Sequence, residues 1–545
     1  GNLLRGEQNV ALENKEQVEI LKGMSAIQSG MSTPGGVVNY VSKRPKDVQS
    51  LTLEADSHGG SRVATDFGGW LGDNQQFGYR VNAAYEDIHP YVEHADGIRL
   101  FGSLALDWKI SDRSKLEFDL ESQRQKQRSV PGYQLLGGET IPTGVEWDRL
   151  LGYQSWSKPV TNESLNTSLK YSYQINDNWS SNLSASQSRV VVDDYSAFAY
   201  TFDTDGNYDI YDFRSPDDSY LTNQFKTGLS GAFNTGAWQH SLSLELSHAY
   251  KRHTQYESTY SMVNVGAGNI YNDPITHTPN DRDLGNHYKS LDSQQTALNV
   301  LDQIEFNDTW SVLLGGKLLH LNESAYAANG NSLRDTDFNR FLPQLALMYQ
   351  PWQNTHLYAS YAKGISDGSQ APWSAYGNPD KGIVGNAFET LAPRRSTQYE
   401  LGLKQQWQEL LFTAALFDLT QDHQYTNLDN YYVSDGEQHN LGLELGLQGR
   451  VAENLDMTST LALIRSRLED IQVDAYKGHQ TQNVPTVRFA SHVSYQMPQV
   501  EGLRLLAGMQ YSSSKYANKT GAVKVSGYTV FDAGAAYNFR AYGYD

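Results

Sequence analysis

The residues of this chain that could do chemistry are few, and most of them fail on spacing. Asp203-Thr-Asp-Gly-Asn-Tyr-Asp209 sets oxygen ligands at alternate positions, as a calcium loop does. Gly206 comes fourth rather than sixth and no Glu stands at the twelfth position, which excludes a helix-loop-helix calcium site and leaves an acidic loop or an irregular surface Ca²⁺ site. His89 with His94, and His248 with His253, lack the spacing of a zinc protease. Cysteine is absent, so disulfides, thiolate metal sites and a Cys nucleophile are all excluded. No GxSxG elbow, phosphate loop or dinucleotide fingerprint occurs, so nothing supports an enzyme or a resident cofactor or metal. What remains is recognition. Aromatic rings gather in two polar stretches, Tyr133, Trp147, Tyr153 and Trp156 in one and Trp373 with Tyr376 in the other, and such rings suit a preformed cup for a small ligand.

The elements that must hold these rings are strands. In Leu441-Gly-Leu-Glu-Leu-Gly-Leu-Gln448 the leucines fall on one face and Gly442, Glu444, Gly446 and Gln448 on the other. Leu242, Leu244 and Leu246 repeat the rhythm, as do Tyr399, Leu401 and Leu403, and no helical period competes. About 20 such segments can be marked, beginning near residues 50, 61, 77, 99, 114, 161, 178, 220, 237, 291, 309, 341, 354, 394, 409, 429, 455, 484, 502 and 528. Their connections alternate: long over 128–160, 196–219, 258–290, 324–340, 365–393, 422–428, 469–483 and 514–527, short between. An outer-membrane barrel, with short periplasmic turns and long extracellular loops, needs that asymmetry; a soluble sandwich does not.

Tryptophan marks the same geometry. Of the ten, Trp70, Trp108, Trp179, Trp238, Trp310, Trp352 and Trp407 lie at or beside short turns, as a periplasmic aromatic girdle requires. Near 114–128 the even positions run Leu116, Phe118, Leu120, Ser122, Arg124, Lys126, Arg128, whereas Glu117, Asp119, Glu121, Gln123, Gln125 and Gln127 keep the odd face polar. The even face is expected to look outward, its cations meeting lipopolysaccharide phosphates above the lipid; an ordinary solvated charge run is the alternative. The net charge of -19 argues against nucleic acid. No apolar run exceeds the five residues Leu345 to Tyr349, too short for a transmembrane helix. With no initiator Met or signal peptide at Gly1, the sequence reads as an interior piece of a longer precursor.

Val18-Glu-Ile-Leu-Lys-Gly23, Pro34-Gly-Gly36 and Val41-Ser-Lys-Arg-Pro45 stand in the order and spacing of one family. Tyr358-Ala-Ser-Tyr-Ala-Lys-Gly364, Leu391-Ala-Pro-Arg-Arg-Ser-Thr-Gln-Tyr-Glu-Leu-Gly-Leu-Lys404 and Gly527-Tyr-Thr-Val-Phe-Asp-Ala-Gly534 extend the likeness through the barrel. The chain resembles the TonB-dependent outer-membrane siderophore receptors. Met24 and Ser29 depart from the pattern, where Pro and an aromatic are usual.

The resemblance implies an all-β transmembrane antiparallel barrel, with the C-terminal part of a plug domain over 1–47 and the barrel over 48–545. The family has 22 strands and about 20 can be marked, so the last hairpin is expected beyond Asp545, and the TonB box and first half of the plug before Gly1. Lys22, Gly23, Pro34, Gly35 and Gly36 carry structural roles: the glycines allow positive φ or close approach, and Pro34 stiffens the corner. Arg5 and Gln8 would sit near a plug apex and join the loop aromatics as ligand contacts. The implied function is uptake of a ferric siderophore by a monomer in the outer membrane of a Gram-negative bacterium, energised by the TonB-ExbB-ExbD complex. Another scarce ligand such as cobalamin, haem or a sugar is the alternative, as is a passive porin or adhesin.

Overall fold

The computed structural model describes residues 8–22, 36–257, 262–372, 383–387 and 389–540. Two strands come first, β1 (Lys15–Leu21) and β2 (Val37–Ser42), paired antiparallel as a sheet of their own. The wall follows with β3 (Val48–Ala55), β4 (Ser61–Leu71), β5 (Phe77–Ile88), β6 (Gly97–Ser111), β7 (Ser114–Gln127), β8 (Val160–Gln174), β9 (Trp179–Tyr200), β10 (Asn207–Thr235) and β11 (Trp238–Tyr256). After the short β12 (Met262–Asn269) it continues through β13 (His287–Glu305), β14 (Trp310–Tyr326), β15 (Ser332–Trp352), β16 (Thr355–Ser366), β17 (Arg394–Trp407), β18 (Leu410–Thr426) and β19 (Tyr432–Ala452). The last members are β20 (Leu455–Glu469), β21 (Val487–Gln496), β22 (Leu503–Ser512) and β25 (Tyr528–Tyr537), with a two-residue pair, β23 (Lys515–Tyr516) and β24 (Lys524–Val525), inside the final long connection. Setting aside β12, the closed order holds twenty strands among the described residues. Each pairs antiparallel with its neighbours in register from β3 round to β25. At the closing seam the wall is thinnest: β25 is exposed throughout, and β3 after Val48.

Alternation sorts the two faces of this wall. Leu443 lies opposite Leu416 on β18 and Leu463 on β20, and Leu416 opposite Leu401 on β17. Leu401 and Leu416 are 58% and 47% exposed, a solvent exposure that only lipid makes favourable for a continuous leucine row. One residue along, Glu444 faces the lumen and meets Lys22. At the short-turn end the tryptophans stand beside other rings: Trp108 with Phe77 at 5.7 Å, Trp238 with Phe306 at 5.2 Å and Trp310 with Tyr349 at 4.4 Å. Trp352 is 72% exposed at the tip of β15, where an interfacial ring belongs.

Several connections expected to be long are largely strand. β9 runs to Tyr200 and β10 starts at Asn207, so the loop expected over 196–219 shrinks to 201–206, and Asp209 to Ser215 pair in register with Tyr200 to Asp194. β15 begins at Ser332 rather than near 341, and β19 at Tyr432 after a loop of only 427–431. The stretch 258–290 contains β12, which pairs with Asn207–Phe213 of β10. Above the lipid both faces of a strand are wet, so the ladder continues after the apolar alternation has ended.

Candidate functional site: a stoppered lumen and its extracellular mouth

The segment before the wall is fitted to the inside of β4–β7, and β7 supplies a ladder for it. At the loop end, Asn9 donates to Gln125 at 2.6 Å, and Gln123 donates to the Asn9 carbonyl at 2.6 Å. Lower, Glu121 takes Asn14 at 2.8 Å and pairs with Lys15. Near the turn end, Arg44 reaches Asp119 at 2.6 Å, Glu117 at 3.6 Å and Asp107 of β6. Every one of these β7 residues belongs to the odd, polar face. The even face therefore looks outward, as the apolar run of Leu116, Phe118 and Leu120 requires. On that face Arg124 is paired with Glu163 at 2.8 Å, while Arg128 turns into the loop above and donates to Ser157.

Charge is exchanged in both directions. Glu13 lies between Arg62 of β4, at 2.9 Å, and Arg99 of β6. Lys43 pairs at 2.8 Å with Asp66, which Arg80 of β5 also grips with two donors. Burial pushes the Glu13 carboxyl up, but the hydrogen bond from Arg99 and the charges of Arg99 and Arg62 outweigh it and hold the group below its usual range. Burial would push the Arg44 guanidinium down; its hydrogen bond to Asp107 and the charges of Asp119, Asp107 and Glu117 push it up instead. Two glycines make room. Gly36 has φ +107°, and a Cβ there would stand 2.8 Å from the Leu21 carbonyl oxygen. At Gly78 a Cβ would lie 2.5 Å from the Pro45 ring, where the chain leaves the lumen to start the wall.

Between segment and wall lies a cavity of about 500 Å³, lined by Asn9, Leu12, Glu13, Arg62, Arg99 and Gln123 among others. Gln8, expected near a plug apex, is buried, and its side-chain oxygen has no hydrogen-bond partner among the described residues. Arg5, Gly23, Pro34 and Gly35 lie outside the described residues.

The mouth is built by the connection 128–159, folded onto the β9–β10 extension and β12. Leu136, Val145, Leu151, Ala199, Phe202, Tyr208, Ile210 and Ile270 form a separate small core there. Gln154, fully buried, ties this connection to 270–286 by donating to the Ile275 carbonyl at 2.8 Å and accepting from the His277 N–H at 2.7 Å. Asp212, also fully buried, holds Arg214 at 3.1 Å and Arg282 at 3.5 Å. Burial and the neighbouring Arg214 push the Arg282 guanidinium down against the pull of Asp212.

The aromatic candidates divide between this scaffold and the open mouth. Tyr133 donates to the Glu146 carbonyl and packs on the small core. Tyr153 stacks on His94 at 4.3 Å beneath the Arg128 guanidinium, and Trp156 donates to the His277 carbonyl at 2.9 Å. Trp147 stands edge-on to Tyr133 at 5.1 Å and is 59% exposed. Trp373 and Tyr376 lie outside the described residues. Sequence reasoning missed Gln154, Asp212 and Arg282, and also His423 and Lys519 on the opposite wall, because each meets its neighbours across a distance no local pattern encodes; Arg394 it named only as a local basic residue.

The acidic motif at 203–209 has a local explanation. Asp203 accepts the N–H groups of Asp205 and Asn207 at 2.9 and 2.8 Å, and the Asn207 amide donates to its second oxygen at 2.8 Å. Its carboxylate thus closes its own turn. Among the described residues no group of three or more His, Asp or Glu side chains could hold a metal ion.

A closed antiparallel wall with lipid-facing leucines, an aromatic girdle and an amino-terminal segment ion-paired inside its lumen defines an outer-membrane barrel with an internal stopper. Residues 106–544 match the family described as TonB dependent receptor-like, beta-barrel, and the chain belongs to that family. It is 26% identical to the ferrichrome receptor FcuA of Yersinia enterocolitica, over 97% of this chain and 70% of that protein. To the metal-pseudopaline receptor CntO of Pseudomonas aeruginosa it is also 26% identical, over 86% of this chain and 66% of that one. Among solved structures, the siderophore receptor PiuA of Acinetobacter baumannii superposes with a TM-score of 0.82 at 19% identity, covering 98% of this chain and 81% of that one. The ferric preacinetobactin receptor BauA of the same organism gives 0.80 at 23%, over 96% and 78%. At such identities the two structures establish the fold alone.

Proposed function

We propose that this chain is the capturing and gating part of a receptor that carries a ferric siderophore across the outer membrane, energised through the TonB-ExbB-ExbD complex. The occupied lumen carries the reading: Glu13, Lys15, Lys43 and Arg44 are held by counter-charges on β4–β7, which a passive pore does not need. In this reading residues 1–47 end a plug domain and 48–545 form the barrel. The relatives named for ferrichrome and ferric preacinetobactin support an iron chelate as cargo. Capture falls to the mouth, where Trp147 is exposed, and to the top of the segment around Gln8. Arg124 and Lys126 on the outward face suit lipopolysaccharide phosphates, and the barrel works as a monomer.

Uptake of radioactive iron by cells carrying the full receptor, with ferric citrate, hydroxamate and catecholate chelates in competition, tests the reading. One chelate class should be taken up only when TonB is present. Uptake of cobalamin or haem with no iron chelate retained would contradict it.

A further inference from the structure

On the inner face of the wall opposite the fitted segment, three basic groups from distant parts of the chain converge. Arg394 opens β17; its even-numbered companions Gln398 and Glu400 are buried inside, while Arg395 points out and pairs with Asp422. His423 stands on the inward face of β18, one residue from the outward Asp422. Lys519 descends from the connection between β22 and β25. The charges of Lys519 and Arg394 both reach the His423 imidazole.

None of the three meets an acid among the described residues. The Nε of Arg394 is buried without a hydrogen-bond partner. Lys519 has the Tyr476 ring at 5.9 Å, and burial pushes its ammonium down. Asp435, a carboxylate in this quarter, is engaged by Gln472 at 2.9 Å and by Tyr425. Half-burying Arg394 and Lys519 in one place without a counter-charge is unfavourable, whereas Glu13, Lys15 and Arg44 elsewhere in this lumen are paired. Tyr425, 5.9 Å from His423, and Tyr476 add flat faces to the same place.

We propose that Arg394, His423 and Lys519 form an anion-recognition subsite at the extracellular mouth, so that the captured chelate carries net negative charge on carboxylate, phenolate or catecholate oxygens. This rests on the receptor reading and narrows it: a neutral trihydroxamate complex would leave the Arg394 and Lys519 cations uncompensated, with the His423 imidazole between them as a hydrogen-bond donor.

The test uses outer-membrane vesicles bearing the full receptor and three probes: ferric citrate and ferric tris(2,3-dihydroxybenzoate), both anionic, and ferric tris(acetohydroxamate), neutral. At least one anionic probe should bind more tightly than the neutral one. Arg394→Gln and Lys519→Gln should each weaken it about tenfold, since charge-assisted hydrogen bonds are lost, and the weakening should be larger in the double variant. Arg394→Lys should recover part of the loss, and binding of the neutral probe should stay unchanged. Heat-modifiable gel mobility reports whether each variant barrel is folded. Tighter binding of the neutral probe, or an anionic affinity within twofold of the parent in a folded double variant, overturns the proposal alone. Retention of no iron chelate by the parent overturns the receptor reading and the subsite with it.

Discussion

Two regions of the same lumen treat charge in opposite ways. Along β4–β7, Asp66, Asp107, Glu117, Asp119 and Glu121 each meet a cation, and most of those cations come from the segment inside. At the mouth of β17–β18, Arg394, His423 and Lys519 face inward with no acid beside them among the described residues. A buried charge whose partner is part of the fold is a fastening; one whose partner is missing awaits a ligand. The contrast separates what keeps the stopper in place from what attracts cargo, and it can be broken at several points.

The assignment of faces is the first. Leu443→Arg puts a cation into mid-membrane lipid and should cost roughly 2 to 4 kcal/mol, whereas Glu444→Gln, one residue away in the lumen, should cost less than about 1 kcal/mol. Urea titration of the barrel in lipid vesicles reads both, and equal costs would dissolve the distinction between outside and inside. The fastening is the second. Arg44→Ala strands Asp119 while Lys115 stays with Asp107 at 2.8 Å, so the expected loss is about 2 to 3 kcal/mol in the same titration.

Acid sharpens the comparison further. The Glu13 carboxyl is held below its ordinary value of 4.5, so its contribution is complete above about that pH and is lost as pH falls through the lowered value. Protease cleavage within 9–22 should therefore stay rare from pH 7 down to about 5 and rise on further acidification, and Glu13→Gln should weaken the acid dependence, leaving the part carried by Asp66 and its Lys43 partner. The smallest effect belongs to the mouth: Trp147→Ala, an exposed ring, should change stability by no more than about 0.5 kcal/mol while weakening chelate binding. Trp156→Phe, which loses its bond to the His277 carbonyl, should cost about 1 kcal/mol.

The fold was legible in the sequence wherever lipid enforces alternation. Starts read near 61, 77, 114, 394, 455 and 528 fall at Ser61, Phe77, Ser114, Arg394, Leu455 and Tyr528. Legibility fails above the membrane: Tyr195 to Tyr200 continue a ladder with Asp209 to Arg214 although both faces carry polar and aromatic groups, and β12 hides in a stretch without a clear apolar face. The polar odd face of β7 could be read as luminal, because the even face was apolar enough to need lipid. Its partners could not, since Asn9 and Gln125 are 116 residues apart and pairing over that span leaves no local trace. For the same reason the sequence named Tyr133, Tyr153 and Trp156 but not the packing that ties them into their own loop.

The absence of cysteine allows a clean decision on whether the amino-terminal segment lies against the inner face of β7. Asn9→Cys combined with Gln125→Cys, treated with a short thiol-reactive cross-linker in intact outer membranes, should join in high yield. Asn9→Cys with Lys126→Cys, one residue along and on the outward face, should not. Equal yields from the two pairs, or none from the first in a folded barrel, would contradict the placement of the segment and with it the stoppered lumen.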